Sequence, residues 1–211
     1  MVKMKITLIG QADFGKSVLE AIINQGKDDL VGVFAPPDID GKRQDPIVTS
    51  SLQNSIPLFQ FSRLRDDEPI QVFKNLEPEL CVMAFVTDIV PSEMINAPSK
   101  GTIQYHPSLL PRHRGPSSIN WPIIKGETET GITIFWPDDG LDTGPILLQK
   151  TIPINEEDTL GKMYFKKMFP IGVDALLESI DLVRSGNAPR MIQDETQATY
   201  EGWCRSKDAI I

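Results

Sequence analysis

Three short, uninterrupted apolar runs recur along the first half of the chain and constrain its fold more than any other feature. They are KITLIG at Lys5–Gly10, LVGVFA at Leu30–Ala35 and LCVMAF at Leu80–Phe85. Runs without polar alternation fit strands buried on both faces, which belong to parallel sheets covered by helices. Between the first two lies Asp13–Gly26, where Phe14, Val18, Ala21 and Ile22 recur at helical spacing and Gly26 supplies a stop. Pro46–Asn54 and residues 66–76 read as further helices, with a strand at Ile56–Gln60. Strands and helices alternating at this spacing imply βαβ crossovers. In the second half, Gly101–His106 reads as a strand that runs into a Pro-rich loop. Gly115–Lys125 reads as a helix, and Thr130–Phe135 with Ile146–Pro153 as an antiparallel pair. A long helix is expected from the acids Glu156, Glu157 and Asp158 to about Arg184, and an irregular tail from Asn187. The fold class is α/β, with a mostly parallel central sheet flanked by helices.

Composition narrows the function. The chain has 211 residues, 40% hydrophobic and 24% charged, enough for a substantial core without covalent staples. A net charge of −8 disfavours nucleic acid as a general partner, since phosphate affinity needs basic surface. Cys81 and Cys204 make no disulfide framework and no CxxC, which fits a reducing cytoplasm. The basic-then-apolar start, MVKMKITLIG, has an apolar run of only about five residues and reads as a strand; no run approaches the roughly 18 residues of a membrane span.

Two constellations carry candidate chemistry. His106 closes a strand expected to be parallel, and the carboxyl edge of such a sheet is where ligands bind. His113, between Arg112 and Arg114, reads as solvated or structural. Asp138, Asp139 and Asp142 crowd a Gly-rich turn; it reads either as plain turn chemistry or as acid–base groups beside the strand-end His. Neither a Ca²⁺ loop nor a Cys/His zinc set is present, so no metal is expected. Residues 10–17, GQADFGKS, match the Walker A pattern, and a P-loop nucleotide binder is the rival reading. Against it, Asp13 and Phe14 are poor members of a phosphate cradle, and the helix starts too early.

HPSLLPRHRG at 106–115 together with GLDTG at 140–144 resembles the superfamily of formyltransferases and hydrolases that use 10-formyltetrahydrofolate. YHPSLLPRHRG, INW at 119–121 and TIFWPDDGLDTG at 133–144 are most similar to the amino-terminal hydrolase domains of 10-formyltetrahydrofolate dehydrogenases. The likeness continues in MKITLIGQADFG, VGVF, INAP at 95–98 and ATYEG at 198–202, nearly the whole chain. The resemblance implies a Rossmann-like formyltransferase fold, with 10-formyltetrahydrofolate as formyl donor and substrate. It implies His106 and Asp142 as the catalytic pair, backbone contacts to the pterin from Asp88, Ile89, Val90 and Asp138, and a pocket wall from Ser108, Leu109, Leu110 and Pro111. It also makes GQADFG a family turn.

The sequence departs from the transferases at one position. They carry Asn two residues before the catalytic His, and Gln104 stands there here. The dehydrogenase-type domains also lack that Asn, so the departure leans toward hydrolysis, although Gln104 offers the same amide from one methylene further out. Lys42, Arg43, Arg112 and Arg114 fall on loops and offer a basic rim, which leaves methionyl-tRNA or an amino sugar open as acceptor. Residues 1–203 are expected to form the formyltransferase-like catalytic domain and 204–211 to begin a linker toward a carboxyl-terminal domain. Oligomeric state is left open.

Overall fold

The computed structural model describes residues 3–209; Met1 and Val2 of the basic start, and Ile210 and Ile211 of the expected linker, lie outside the described residues. The chain forms two compact units, residues 1–104 and 105–211, with the boundary falling inside a strand.

The first unit is a parallel sheet in the order β3-β2-β1-β4-β5, with β1 at Lys5–Gly10, β2 at Asp29–Ala35, β3 at Leu58–Gln60, β4 at Leu80–Ala84 and β5 at Thr102–His106. The apolar runs are buried as expected: β4 is buried at all five positions and β1 at all but Lys5. Helix α1, Ala12–Gln25, turns Phe14, Val18, Leu19 and Ile22 inward, and Gly26 closes it in a left-handed conformation, its N–H donating to Ile22 and Ile23. Helices α2 at Pro46–Gln53, α3 at Asp67–Asn75 and a short α4 at Ser92–Ile95 complete the unit. Phe34 anchors one side of its core, stacked on Phe59 at 5.1 Å and tilted against Phe73 at 5.4 Å.

The second unit carries the antiparallel pair β6, Glu129–Phe135, and β7, Ile146–Pro153, with helices α5 at Asn120–Ile124 and α6 at Phe169–Arg184. With five parallel strands and one antiparallel pair among the described residues, the α/β, mostly parallel reading holds.

Three stretches differ from expectation. Residues 115–119 form turns, and helix begins only at Asn120; Gly115 and Ser117 take positive φ, which a continuous helix forbids. Helix onset after β7 is delayed to about Leu160, and Lys162–Met168 is wound as a π-helix ahead of α6. Pro170 explains the local widening, because it has no N–H for the α-ladder. The tail is threaded into the unit, pairing Met191 with Ile146 and Tyr200 with Arg114.

The Walker A reading fails on geometry. Gly15, Lys16 and Ser17 lie within α1, and Lys16 faces Glu20 at 3.7 Å along the helix. A Cβ at Gly10 would meet the Ala84 carbonyl oxygen at 2.6 Å, so this glycine serves close packing of β1 on β4. The first N–H of α1 already has an anion: Ala12 donates to both carboxylate oxygens of Asp45, at 2.9 and 3.0 Å. Asp45 also caps α2 by accepting from the Ile47 N–H. Asp45→Ala should therefore lower the unfolding free energy by about 1–2 kcal/mol. Urea denaturation is the check, and Asp45→Asn should recover part of the loss.

Candidate active site

The loop that follows β5 is built from inside. Thr133 on β6 donates to the Ser108 carbonyl at 2.7 Å and accepts from the Leu110 N–H at 3.1 Å. Gln149 on β7 donates to the Leu110 carbonyl at 2.8 Å. The Ser108 hydroxyl donates to the Arg112 carbonyl at 2.8 Å and approaches that of His113 at 3.3 Å. The result is a rigid hoop whose carbonyl at His113 points at the ring of His106.

His106 is 6% exposed, and its Nε2–H donates to that carbonyl at 2.9 Å. A carbonyl only accepts, so Nε2 carries the proton and Nδ1 is the working edge of the ring. Nδ1 lies 3.7 Å from Asp142 Oδ2. That is ion-pair range and slightly beyond a hydrogen bond, leaving the two groups able to share a third partner. Asp142 is 8% exposed, takes a positive φ of 57°, and its Oδ2 accepts from the Gly115 N–H at 2.8 Å. The turn that presents it is shaped by Asp138, whose Oδ1 accepts from the Gly140 N–H and the Thr143 hydroxyl.

The remaining sequence-derived positions divide. Gln104 is half-buried on β5, two residues before His106, the spacing that sends both side chains to one face of a strand. Asp88 is exposed, but its carboxylate accepts from the Leu64 and Ile89 N–H groups, so the Ile89 amide is already engaged. Ile89 stands free of the surface and Val90 packs into the core. Ser108 and Leu110 are buried within the hoop, so they shape it, while Leu109 and Pro111 keep partial exposure. The expected basic rim is thinner than the loop assignment implied. Arg114 is fully buried, and Arg112 is held by Glu127 at 2.6 Å.

Beside residues 86–88, the first unit holds a cavity of about 200 Å³ walled by Phe34, Phe61 and Phe85, with Gln11 and Thr87 among its polar atoms. Phe85 has a φ of 60°, an uncommon conformation for a bulky side chain.

Sequence reading missed the tail. Both ring nitrogens of His113, which is 3% exposed, face carboxylates: Glu201 at 3.2 Å and Glu127 at 3.1 Å. Only an imidazolium donates on both sides. Arg114 is bound by Glu195, Gln193 and Tyr200. The Glu195 hydrogen bonds chiefly hold its guanidinium above the usual range, against the opposing pull of burial. Burial pushes the Glu201 carboxyl up, but Lys125 and the charge of His113 outweigh it and leave the value depressed. ATYEG was visible only as a likeness; the polar tail carries no apolar period that would announce burial.

A profile of the formyl transferase family matches residues 4–177. The chain belongs to that family. It is 44% identical over 213 residues, 99% of its length, to the cytosolic 10-formyltetrahydrofolate dehydrogenase of Mus musculus, and 42% identical over 214 residues to the mitochondrial one. It spans 23% of the length of those relatives. It is also 37% identical to the methionyl-tRNA formyltransferase of Clostridioides difficile over 93% of this chain and 65% of that protein. Among solved structures, glycinamide ribonucleotide transformylase 1 from Symbiobacterium toebii superposes with a TM-score of 0.77 at 17% identity, covering 90% of this chain and 93% of that one. An N-formyltransferase from Helicobacter canadensis, in complex with folinic acid and dTDP-3-aminofucose, gives 0.77 at 20% identity over 98% of this chain and 72% of that one. These likenesses show the fold.

Two outcomes follow. A Cβ at Gly115, where φ is 93°, would meet the Glu201 carbonyl at 2.6 Å. Gly115→Ala should cost more than about 1 kcal/mol in chemical denaturation. Because the folded-state value of Glu201 is depressed, its stabilisation is present above the unfolded carboxylate value of about 4.3 and is lost as pH falls through the lower folded one. Calorimetric melting below pH 5 should fall more steeply in the parent than in Glu201→Gln.

Proposed function

We propose that this chain binds 10-formyltetrahydrofolate and hydrolyses it to formate and tetrahydrofolate. The observation that carries the reading is the buried His106–Asp142 pair at 3.7 Å, with Nε2 committed to a carbonyl and Nδ1 left to work. The high identity to the dehydrogenases along 99% of the chain supports the substrate. The exposed Ile89 and Asp138, the buried Val90, and the partly exposed Leu109 and Pro111 are the proposed folate contacts.

In the proposed chemistry His106 acts as the imidazolium: Nε2–H stays on the His113 carbonyl, and a second proton on Nδ1 is donated in a hydrogen bond to the formyl oxygen as it becomes an oxyanion. The Asp142 carboxylate orients water and takes its proton as the oxygen bonds to the formyl carbon. The bond from carbon to N10 breaks as that proton passes to the nitrogen, giving formic acid, ionised at neutral pH, and tetrahydrofolate. Gln104 is proposed as a further amide donor. No metal is invoked. The two cysteines are unpaired, which fits the cytoplasm as its compartment. Among the described residues no helix is long and apolar enough to cross a membrane.

A second reading, transfer of the formyl group to an amine, is supported by the 37% identity to a methionyl-tRNA formyltransferase. A methionyl-tRNA or amino-sugar nitrogen would then replace water. With 10-formyltetrahydrofolate and no acceptor, formate should appear, and His106→Ala and Asp142→Ala should each reduce its rate about 100-fold or more. Turnover only on adding an amine decides for transfer. Binding of 10-formyltetrahydrofolate without turnover under either condition would make the protein a folate-binding module.

A further inference from the structure

Asp142 depends on more than its own turn. Gln193 is 5% exposed, and its side-chain amide is fully engaged. Nε2 donates to the Asp142 carbonyl at 2.9 Å and to the Gly144 carbonyl at 2.7 Å. Oε1 accepts from Arg114 Nε at 3.2 Å and Nη2 at 2.7 Å. These four bonds use both donors and both lone pairs of the amide. Arg114 adjoins Gly115, whose N–H holds the Asp142 carboxylate at 2.8 Å. The turn is therefore gripped twice, at its carbonyls by Gln193 and at its carboxylate by Gly115, with Arg114 bound to the first grip and next in sequence to the second.

We propose that Gln193 is a positioning residue for the reaction, fixing the Asp142 carboxylate opposite His106 Nδ1 through the backbone of residues 142–144. The inference rests on the catalytic reading of His106 and Asp142. An amide is required at this place. The side facing Asp142 and Gly144 must donate to two carbonyls, while the side facing Arg114 must accept from a cation. A carboxylate would satisfy Arg114 and repel the turn; an apolar side chain would release both.

Gln193→Glu separates the two roles, because it keeps the Arg114 contact and reverses polarity only toward the turn. Tyr200→Phe is the reference variant: it removes a contact of Arg114 that does not reach the turn. Steady-state release of tetrahydrofolate from 10-formyltetrahydrofolate is measured for both, with and without an added amine, alongside His106→Ala. We expect kcat of Gln193→Glu to fall about ten- to a hundredfold with KM within about threefold, as for sub-ångström misplacement of a reacting group. Tyr200→Phe should stay within about twofold of the parent. The deficit of Gln193→Glu should shrink as pH falls and the new carboxyl regains a donor proton. Unchanged kcat in Gln193→Glu, or equal losses in both variants, overturns the proposal. If Gln193→Glu does not fold, Gln193→Met takes its place; failure of both to fold rejects the positioning role in favour of a structural brace. Undiminished turnover in His106→Ala marks failure of the underlying catalytic reading instead.

Discussion

The hydrogen bond from His106 Nε2–H to the His113 carbonyl constrains the candidate site more than any other contact. It removes one ring nitrogen from chemistry and fixes the plane of the other. A histidine in a mobile loop would leave both tautomers in play; here the acceptor belongs to a hoop tied to β6 and β7 through Thr133 and Gln149. The sheet therefore controls a single proton position. Asp142, opposite, is held in a left-handed conformation that few residues other than glycine adopt. Backbone strain of this kind persists only where surrounding contacts over-determine it.

Those contacts come from Gly115 in the loop and Gln193 in the tail, at a cost in desolvation. Arg114 is fully buried, while Glu195, its ionic partner, has a side chain 64% exposed. A buried cation is a poor source of net stability unless its donors are satisfied. Gln193, Glu195 and Tyr200 together supply the acceptors. His113, between Glu127 and Glu201, repeats the design one residue earlier. Burying charge here gives the 108–117 loop one conformation, which a site with two opposed groups requires.

The fold was largely legible because its signal is local. KITLIG and LCVMAF are apolar without interruption because both faces are covered, and Gly26 stops α1 where the periodicity ends. Where long-range contacts decide, the sequence said less. Residues 115–119, GPSSI, read as a helix start because Pro116 suits a first turn, yet the loop and tail hold Gly115 and Ser117 at positive φ. GQADFGKS satisfies the spacing of a phosphate loop, but Asp45, 33 residues from Ala12, holds the helix start. His106 and Asp142 stood out together only through the resemblance carried by HPSLLPRHRG and GLDTG, and the structure places their side chains 3.7 Å apart. Gln193 did not stand out, since a buried amide and an exposed one look alike in a polar tail.

The most direct test concerns which nitrogen of His106 is free. Only two histidines are present, so ring ¹⁵N resonances can be assigned with His106→Ala. Long-range ¹H–¹⁵N spectra of the neutral ring should show Nε2 protonated and Nδ1 bare. Adding 5-formyltetrahydrofolate should move the Nδ1 resonance and leave Nε2 nearly unchanged. A proton on Nδ1 in the neutral form, or a response to ligand confined to Nε2, would contradict the account.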